Sequence, residues 1–315
     1  MFATRSDEIE RLAGASAVEA CWAQWGALGS PASSSGGPHA KAIIDIEALI
    51  LLSLHLLERE RRLLDLVAWW ARVGSRLTSV QRVQAVAERF PPDGGQRALG
   101  LFARLATDTG DRRWSRHVDP ATAIPSTREK GPDEPSLLEA STLWLRLRAG
   151  FGVGAKADTL AYLLGLRGAW ASIRLISFAT GYSSVTSRGA ASEMALARFV
   201  RETSERPAEY SAPVEAWARV LSVPEAAEPP RWHFWSEVFA FLAGAIAWSA
   251  SVGLPDAPGH HVLASRARDL LEKHHRAFEL TRLSVPSPER HRGLEAVDGL
   301  LETTRVVSEW VEQNV

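Results

Sequence analysis

ASIRLISFATGYSSVTSRGAASEMALARFV, residues 171–200, contains two short helical patterns on either side of a glycine. Apolar residues recur at helical spacing over 171–180 and again over 184–197. Between the two patterns, Gly181 can adopt a positive φ without steric cost, and Ser183 can cap the helix that follows. The sequence therefore predicts a helix, a tight corner and a second helix.

The neighbouring residues extend this pattern on both sides. A helix is predicted over 155–166, and after the second helix of the corner residues 199–201 (Phe-Val-Arg) predict a short strand. Residues 202–207 form a polar turn, residues 208–211 return as a second strand, and Pro213 can open a closing helix. Helix, helix, turn, helix and hairpin is the order found in winged helix-turn-helix domains, so residues 155–217 predict such a module.

In this interpretation the helix after Gly181 is the recognition helix, with Ala191 and Met194 facing inward, and the hairpin is the wing. Arg188 can pair with guanine in the major groove, and serine and threonine hydroxyls can contact several bases. Wing arginines would hold phosphates. The expected partner is double-stranded DNA, and the candidate binding residues are Arg174, Ser183, Ser184, Thr186, Arg188, Ser192, Arg198, Arg201 and Arg206.

The charge distribution favours this interpretation. The chain of 315 residues has a net charge of −1, so it is not a polycation. Residues 141–207 nevertheless contain nine basic and four acidic residues, a net charge of +5. A basic island is what phosphate contacts require. Since Arg188 is the single strong base-reading side chain of the recognition helix, a winged helix that binds a protein instead of DNA remains the alternative.

The rest of the chain predicts a mainly α protein with several units. We expect an N-terminal helix over 1–28, a flexible Ser/Gly/Pro linker over 29–40 and a helical domain over 41–107. A long connection follows over 108–135, then the winged helix-turn-helix domain over 136–222 and a C-terminal helical domain over 231–315.

Several functional classes are disfavoured by the sequence. The glycine-rich residues 151–156 lack the spacing of a phosphate-binding loop, and no GxSxG motif occurs, so we expect no enzyme. One cysteine excludes an internal disulfide and a multi-cysteine metal site. The adjacent pairs His260-His261 and His274-His275 lack the i, i+4 spacing of helical metal ligands, so no metal and no cofactor are expected.

The first residues of the chain and its most apolar segment predict the cellular location of the protein. The first residues are polar and charged instead of forming a basic and apolar leader, so we expect no secretory signal and a cytoplasmic protein. Residues 238–254 carry no charge but include glycines and serines, and they predict a buried helix of a globular protein and no membrane contact.

The N-terminal half carries a family resemblance. The segments 46–53 (IEALILLS), 61–65 (RRLLD) and 80–83 (VQRV), together with Trp69, resemble antitoxins of the AbiEi type from type IV toxin–antitoxin systems. The resemblance implies an autorepressor or antitoxin-like regulator with a partner protein encoded nearby. Two DNA half-sites would require a homodimer, and we expect residues 231–315 to supply its surface. A second basic surface, or simply a solvated helix face, is predicted for Arg59, Arg61, Arg62, Arg72, Arg76 and Arg82.

Overall fold

Helices form most of the chain in a computed structural model that describes residues 2–30, 40–119, 126–128, 131–221, 229–253 and 258–315. The predicted mainly α class is confirmed, with one small antiparallel sheet. The helices are α1 (Phe2–Ala27), α2 (Ile46–His55), α3 (Leu63–Val73), α4 (Val80–Ala87), α5 (Pro92–Asp108), α6 (Leu143–Phe151), α7 (Ala155–Gly165), α8 (Ile173–Thr180), α9 (Ser184–Leu196), α10 (Val214–Val220), α11 (Trp235–Val252), α12 (His260–Leu280) and α13 (Ala296–Asn314). The strands are β1 (Ala171–Ser172), β2 (Arg201–Glu202) and β3 (Glu209–Ser211).

One hydrophobic core joins three segments that the sequence treats as separate units. Helix α1 packs against α11 and α13, and α2 packs against α11 and α5. The physical reason lies in α2 and α11, which are apolar around most of their circumference and must be covered on all sides. Segments 1–28, 41–107 and 231–315 therefore contribute to the same core.

Helix α11 corresponds to the uncharged segment noted in the sequence. Its 18 residues are long and apolar enough to cross a membrane by length and composition, yet 67% of them are buried inside the protein. Helices α1, α2 and α12 cover it. It occupies the position of a core helix, as the sequence predicts.

The predicted connection over 108–135 has structure in its described parts. Residues 112–117 form a short 3₁₀ helix whose Trp114 is buried edge-to-face against Phe102, with ring centroids 4.8 Å apart. Further along, the Pro132 carbonyl accepts a hydrogen bond of 2.8 Å from the indole of Trp69. One aromatic ring contact and one indole hydrogen bond thus hold this connection against the larger core. Of the linker predicted over 29–40, residues 31–39 lie outside the described residues, whereas Ser30 and Ala40 at its two ends are buried.

A second, smaller core is built by α6–α10 and the sheet. The strands lie in the order β1-β3-β2, all antiparallel, with Ala171 opposite Tyr210 and Arg201 opposite Ser211. The predicted elements of residues 155–217 are present, and β1 is an addition. Residues 171–172 pair with β3 instead of opening α8, and the side chain of Ser172 caps that helix by accepting from the Leu175 amide.

Candidate nucleic-acid interface

The corner between α8 and α9 has the local geometry that its residues predict. Gly181 ends α8 in the left-handed conformation, φ 78° and ψ 10°, and its amide donates to the Ser177 carbonyl at 2.9 Å. Ser183 immediately precedes α9 as its N-cap, and its hydroxyl accepts from the Thr186 amide at 3.1 Å. A glycine that tolerates positive φ and a capping serine therefore set the angle between the two helices.

Helix α9 divides cleanly into a buried side and an exposed side. Its inward residues are Ser187, Ala190, Ala191 and Met194, which pack on α7 and α8. The small side chains let α9 approach α7 closely. Its outward residues are Ser184, Val185, Thr186, Arg188, Gly189, Ser192, Glu193 and Leu196.

The hairpin after α9 is anchored at its base and exposed at its tip. The indole of Trp217 in α10 donates to the Phe199 carbonyl at 2.9 Å, and Tyr210 is buried between the sheet and α9. Arg201 and Arg206 lie on the exposed part of the hairpin. Arg206 pairs with Glu202 only at 3.6 Å and keeps 80% of its side chain exposed. Such a pair contributes little and leaves the guanidinium available.

All nine residues proposed from the sequence are exposed. Arg174 lies on α8, four residues belong to α9, Ser183 caps it, and three arginines lie on or just before the hairpin. The structure therefore places them on the surface of one small substructure.

The net charge of residues 141–207 is also the same at the surface of the folded chain as in the sequence. One basic and one acidic residue of this segment, Arg148 and Asp158, are buried together, and their charges cancel. Eight basic and three acidic residues remain, still a net charge of +5.

Arg148 and Asp158 belong to a buried charged cluster that the sequence analysis did not find. Arg148 donates to both Asp158 oxygens, at 2.7 and 2.9 Å, and to Glu47 Oε1 at 2.5 Å. Burial opposes the charge of Arg148, but the two carboxylates raise its pKa above the ordinary value. Arg148 is therefore a fixed cation that links α6, α7 and α2.

Arg82 joins this cluster from α4 and reaches the corner itself. Its guanidinium donates to the Thr180 carbonyl at 2.7 Å and to Asp45 at 2.5 Å. It also lies 3.3 Å from Glu47 Oε2, although that ion pair lacks hydrogen-bond geometry. The prediction of an exposed Arg82 on a second basic surface is wrong, because three buried polar groups of distant segments require its charge. Arg59, Arg62 and Arg72 pair with Glu10, Glu60 and Asp133 respectively.

Tyr182 completes the connection between the corner and the cluster. Its hydroxyl donates to Asp158 Oδ2 at 3.0 Å, and burial raises its pKa, with the Asp158 carboxylate adding to the shift. The guanidiniums of Arg82 and Arg148 lie 4.6 and 4.7 Å from the centroid of the Trp144 ring, and the Trp144 indole donates to Asp158 at 2.6 Å. The inner side of the corner is therefore fixed by hydrogen bonds to charged groups, from Arg82 to Thr180 and from Tyr182 to Asp158, while the opposite side of α9 is exposed.

Comparisons with protein-family models, with curated proteins and with solved structures return no match.

Lys156 and the histidines occupy other environments. Lys156 has its ammonium 2.6 Å from Glu193 Oε2 on α9, with both side chains more than half exposed. His274 is buried in the larger core, where its Nδ1 lies 2.7 Å from Glu237 Oε2, and burial lowers its pKa. Within the described ranges, no three His, Cys, Asp or Glu side chains come together as metal ligands.

The residues that the sequence analysis missed share one property. Arg82, Arg148, Asp45, Glu47 and Asp158 are charged, and a charged side chain ordinarily predicts a solvated face. A signal existed for two of them, since Asp45 precedes the very apolar α2 and Glu47 lies inside it. A carboxylate within an apolar helix requires a buried cation, but the sequence does not say which arginine supplies it.

Proposed function

We propose that this chain is a winged helix-turn-helix protein that binds double-stranded DNA and acts as a cytoplasmic transcriptional regulator or antitoxin-like repressor. The order α7, β1, α8, α9, β2 and β3 supports the winged-helix assignment, because it places a strand before the corner and a hairpin after it. The role proposed is binding without catalysis and without a cofactor.

One observation carries the proposal: the outward side of α9 is exposed beside a hairpin with exposed arginines. Every residue proposed to contact DNA is on the surface, and the net charge of +5 belongs to this part of a chain that is otherwise slightly acidic. An α-helix fits the major groove, where base edges are read, and flanking cations hold phosphates. Arg188 would read guanine, and Arg198, Arg201 and Arg206 would bind the backbone.

A homodimer is part of the proposal. One recognition helix covers only a few base pairs, and winged helices and related modules gain affinity by binding two half-sites about one helical turn apart. The partner copy would bring a second α9. Sedimentation of the protein with and without its DNA measures the stoichiometry, and a single copy per site at saturation would exclude the dimer.

The test begins with selection of bound sequences from a random double-stranded DNA library, alongside the DNA upstream of the chain's own gene. The key variant replaces Arg198, Arg201 and Arg206 by glutamine. Each phosphate contact contributes about 0.9 to the slope of log K against log salt concentration, so the triple variant should flatten that slope by about 2 to 3.

A matched control separates a local interface from a loss of overall charge. Arg266, Arg290 and Arg292 are also exposed, lie in the C-terminal segment 258–315 and can be replaced by glutamine in the same number. The control variant should retain the slope of the wild type. Equal flattening by both variants, or no binding of any DNA by the wild type, would contradict the proposal.

The alternative is a subunit that binds a partner protein, such as a neighbouring-gene toxin or defence component, through the same module. Exposed apolar side chains favour it: Val185 and Leu196 on α9 are more than four-fifths exposed, and Phe151 and Phe199 are about half exposed. Co-expression with the product of the adjacent gene, followed by purification, tests this. A stable complex that is lost on Leu196→Glu, together with no DNA binding, would favour the alternative.

A further inference from the structure

The outward face of α9 has an unusual centre. Val185, Gly189, Ser192 and Leu196 follow one another at intervals of four, three and four residues, so they lie in one row along the helix. All four are exposed, and Arg188 lies next to the row. The middle of the proposed recognition face is therefore small and uncharged, and its cation is at one side.

Gly189 has no structural reason to be glycine. It lies inside α9 without a positive φ, and a Cβ atom added to it would meet nothing within 4 Å. Glycine in a helix interior destabilises the helix relative to alanine. Folding alone would therefore favour alanine at this position. A glycine helps on this surface only if another molecule must come close to the backbone.

Val185 is equally unexplained by folding. It lies in the first turn of α9 with 83% of its surface exposed, so its methyl groups gain nothing from burial. Valine is also a poorer helix former than alanine or glutamate. Neighbouring positions 184 and 186 are polar, as a solvated face requires, but Val185 is not. An apolar group at this position suits an apolar group on the ligand.

The major groove of DNA exposes one such group, the C5 methyl of thymine. Val185 and Arg188 are three residues apart, which is about 4.5 Å along a helix, and base pairs are about 3.4 Å apart. We propose that Val185 contacts a thymine methyl, that Arg188 binds a guanine in an adjacent or next-adjacent base pair, and that Gly189 lets the helix backbone approach the base edges. This inference rests on the proposed DNA-binding function and adds its base specificity.

The first experiment uses the DNA sequence selected by the wild-type protein. Each thymine is replaced in turn by uracil, which retains base pairing but lacks the C5 methyl. At one thymine near a G·C pair, the wild type should lose about three- to tenfold in affinity, the effect expected for one buried methyl group. Val185→Ala should bind thymine and uracil DNA equally at that position. Leu196→Ala, an equally exposed residue in the last turn of α9, should retain the wild-type preference.

The second experiment uses Gly189→Ala, for which the proposal predicts opposite signs in two measurements. The melting temperature should rise by about 1–2 °C, because alanine favours the helix. The affinity for the selected DNA should fall at least fivefold, because the added methyl group separates α9 from the base edges. Gly150→Ala is the control, since Gly150 also lies in a helix, is exposed and has no atom within 4 Å of an added Cβ. It should stabilise the protein without weakening DNA binding.

The outcomes separate this inference from the proposed function. If the wild type binds DNA but no thymine-to-uracil change depends on Val185, the assignment of Val185 is overturned. If Gly189→Ala binds DNA as tightly as the wild type, the close approach is overturned. If the wild type selects no DNA at all, the proposed function itself fails.

Discussion

Arg82 offers the sharpest test of how the corner is held, because its side chain is buried and its hydrogen-bond and ion-pair partners come from two distant segments, residues 45–47 and the end of α8. Arg82→Met preserves much of the volume of the side chain and removes the guanidinium. The change deprives the Thr180 carbonyl of a hydrogen bond of 2.7 Å and Asp45 of one of 2.5 Å. Hydrogen bonds to charged groups contribute about 1.5–3 kcal/mol each, so the two together account for about 3–6 kcal/mol.

An independent argument gives a similar magnitude. Removal of one partner from a buried ion pair costs about 3–5 kcal/mol, because the other charge remains buried without compensation. We therefore expect Arg82→Met to lower the free energy of unfolding by about 3–5 kcal/mol. Urea-induced unfolding followed by far-ultraviolet circular dichroism measures the change.

Arg62→Met is the matched control. Arg62 pairs with Glu60 at 2.7 Å, so the distance between nitrogen and oxygen is similar, but 72% of the Arg62 side chain is exposed. A surface pair of this kind contributes about 0–1 kcal/mol, and the control should cost no more than that. The comparison therefore isolates burial, since the substitution is the same.

A double variant tests the physical cause. Asp45→Asn removes the negative charge that Arg82 compensates, and asparagine can still cap α2 as Asp45 does. The double variant Arg82→Met with Asp45→Asn should therefore be more stable than the sum of the single effects by at least about 1 kcal/mol. A cost below about 1 kcal/mol for Arg82→Met, or exact additivity with Asp45→Asn, would refute the role given to the buried charge.

Three further predictions follow from single contacts. Tyr182→Phe removes a hydrogen bond to Asp158 and should lower the free energy of unfolding by about 1.5–3 kcal/mol in urea; no change would mean that the bond is not formed in solution. Burial lowers the pKa of His233 to about 4, so the folded state resists protonation of this side chain. The free energy of unfolding should therefore fall by about 2 kcal/mol between pH 6.5 and pH 5. Urea-induced unfolding at each pH measures the change, and His233→Gln should reduce the pH dependence of the unfolding free energy. Gly95→Ala should destabilise by about 1–3 kcal/mol, since its Cβ would lie 2.2 Å from the Ala87 carbonyl oxygen; an unchanged melting temperature would contradict the close packing of α4 on α5.

The sequence contains the local signals for the corner and its flanking elements. A glycine at position 181 permits the left-handed residue, Ser183 supplies the cap, and helical spacing marks α7, α8 and α9. Each of these signals acts over a few residues, so each can be recognised without knowledge of the rest of the chain. The exposure of Arg188 and Ser192 also follows from helical periodicity.

The strand β1 and the larger core, which joins three distant segments of the chain, could not be predicted from such local signals. Two residues, 171 and 172, have no pattern of their own, and they become a strand only because β3 lies beside them. Likewise, helices α1, α2 and α11 come from distant segments, and their apolar faces do not specify which of the other faces will cover them. Hydrophobic burial is non-directional, so composition predicts that a face is covered but not by what.

Tertiary structure alone decided which charges are buried. Arg82 lies in α4 and Arg62 immediately precedes α3, yet the first is enclosed by carboxylates and carbonyls and the second is in solvent. The difference arises because Asp45, Glu47 and the end of α8 converge on Arg82 in the folded chain. Electrostatic interactions depend on distance and burial, and neither quantity is defined until the chain has folded.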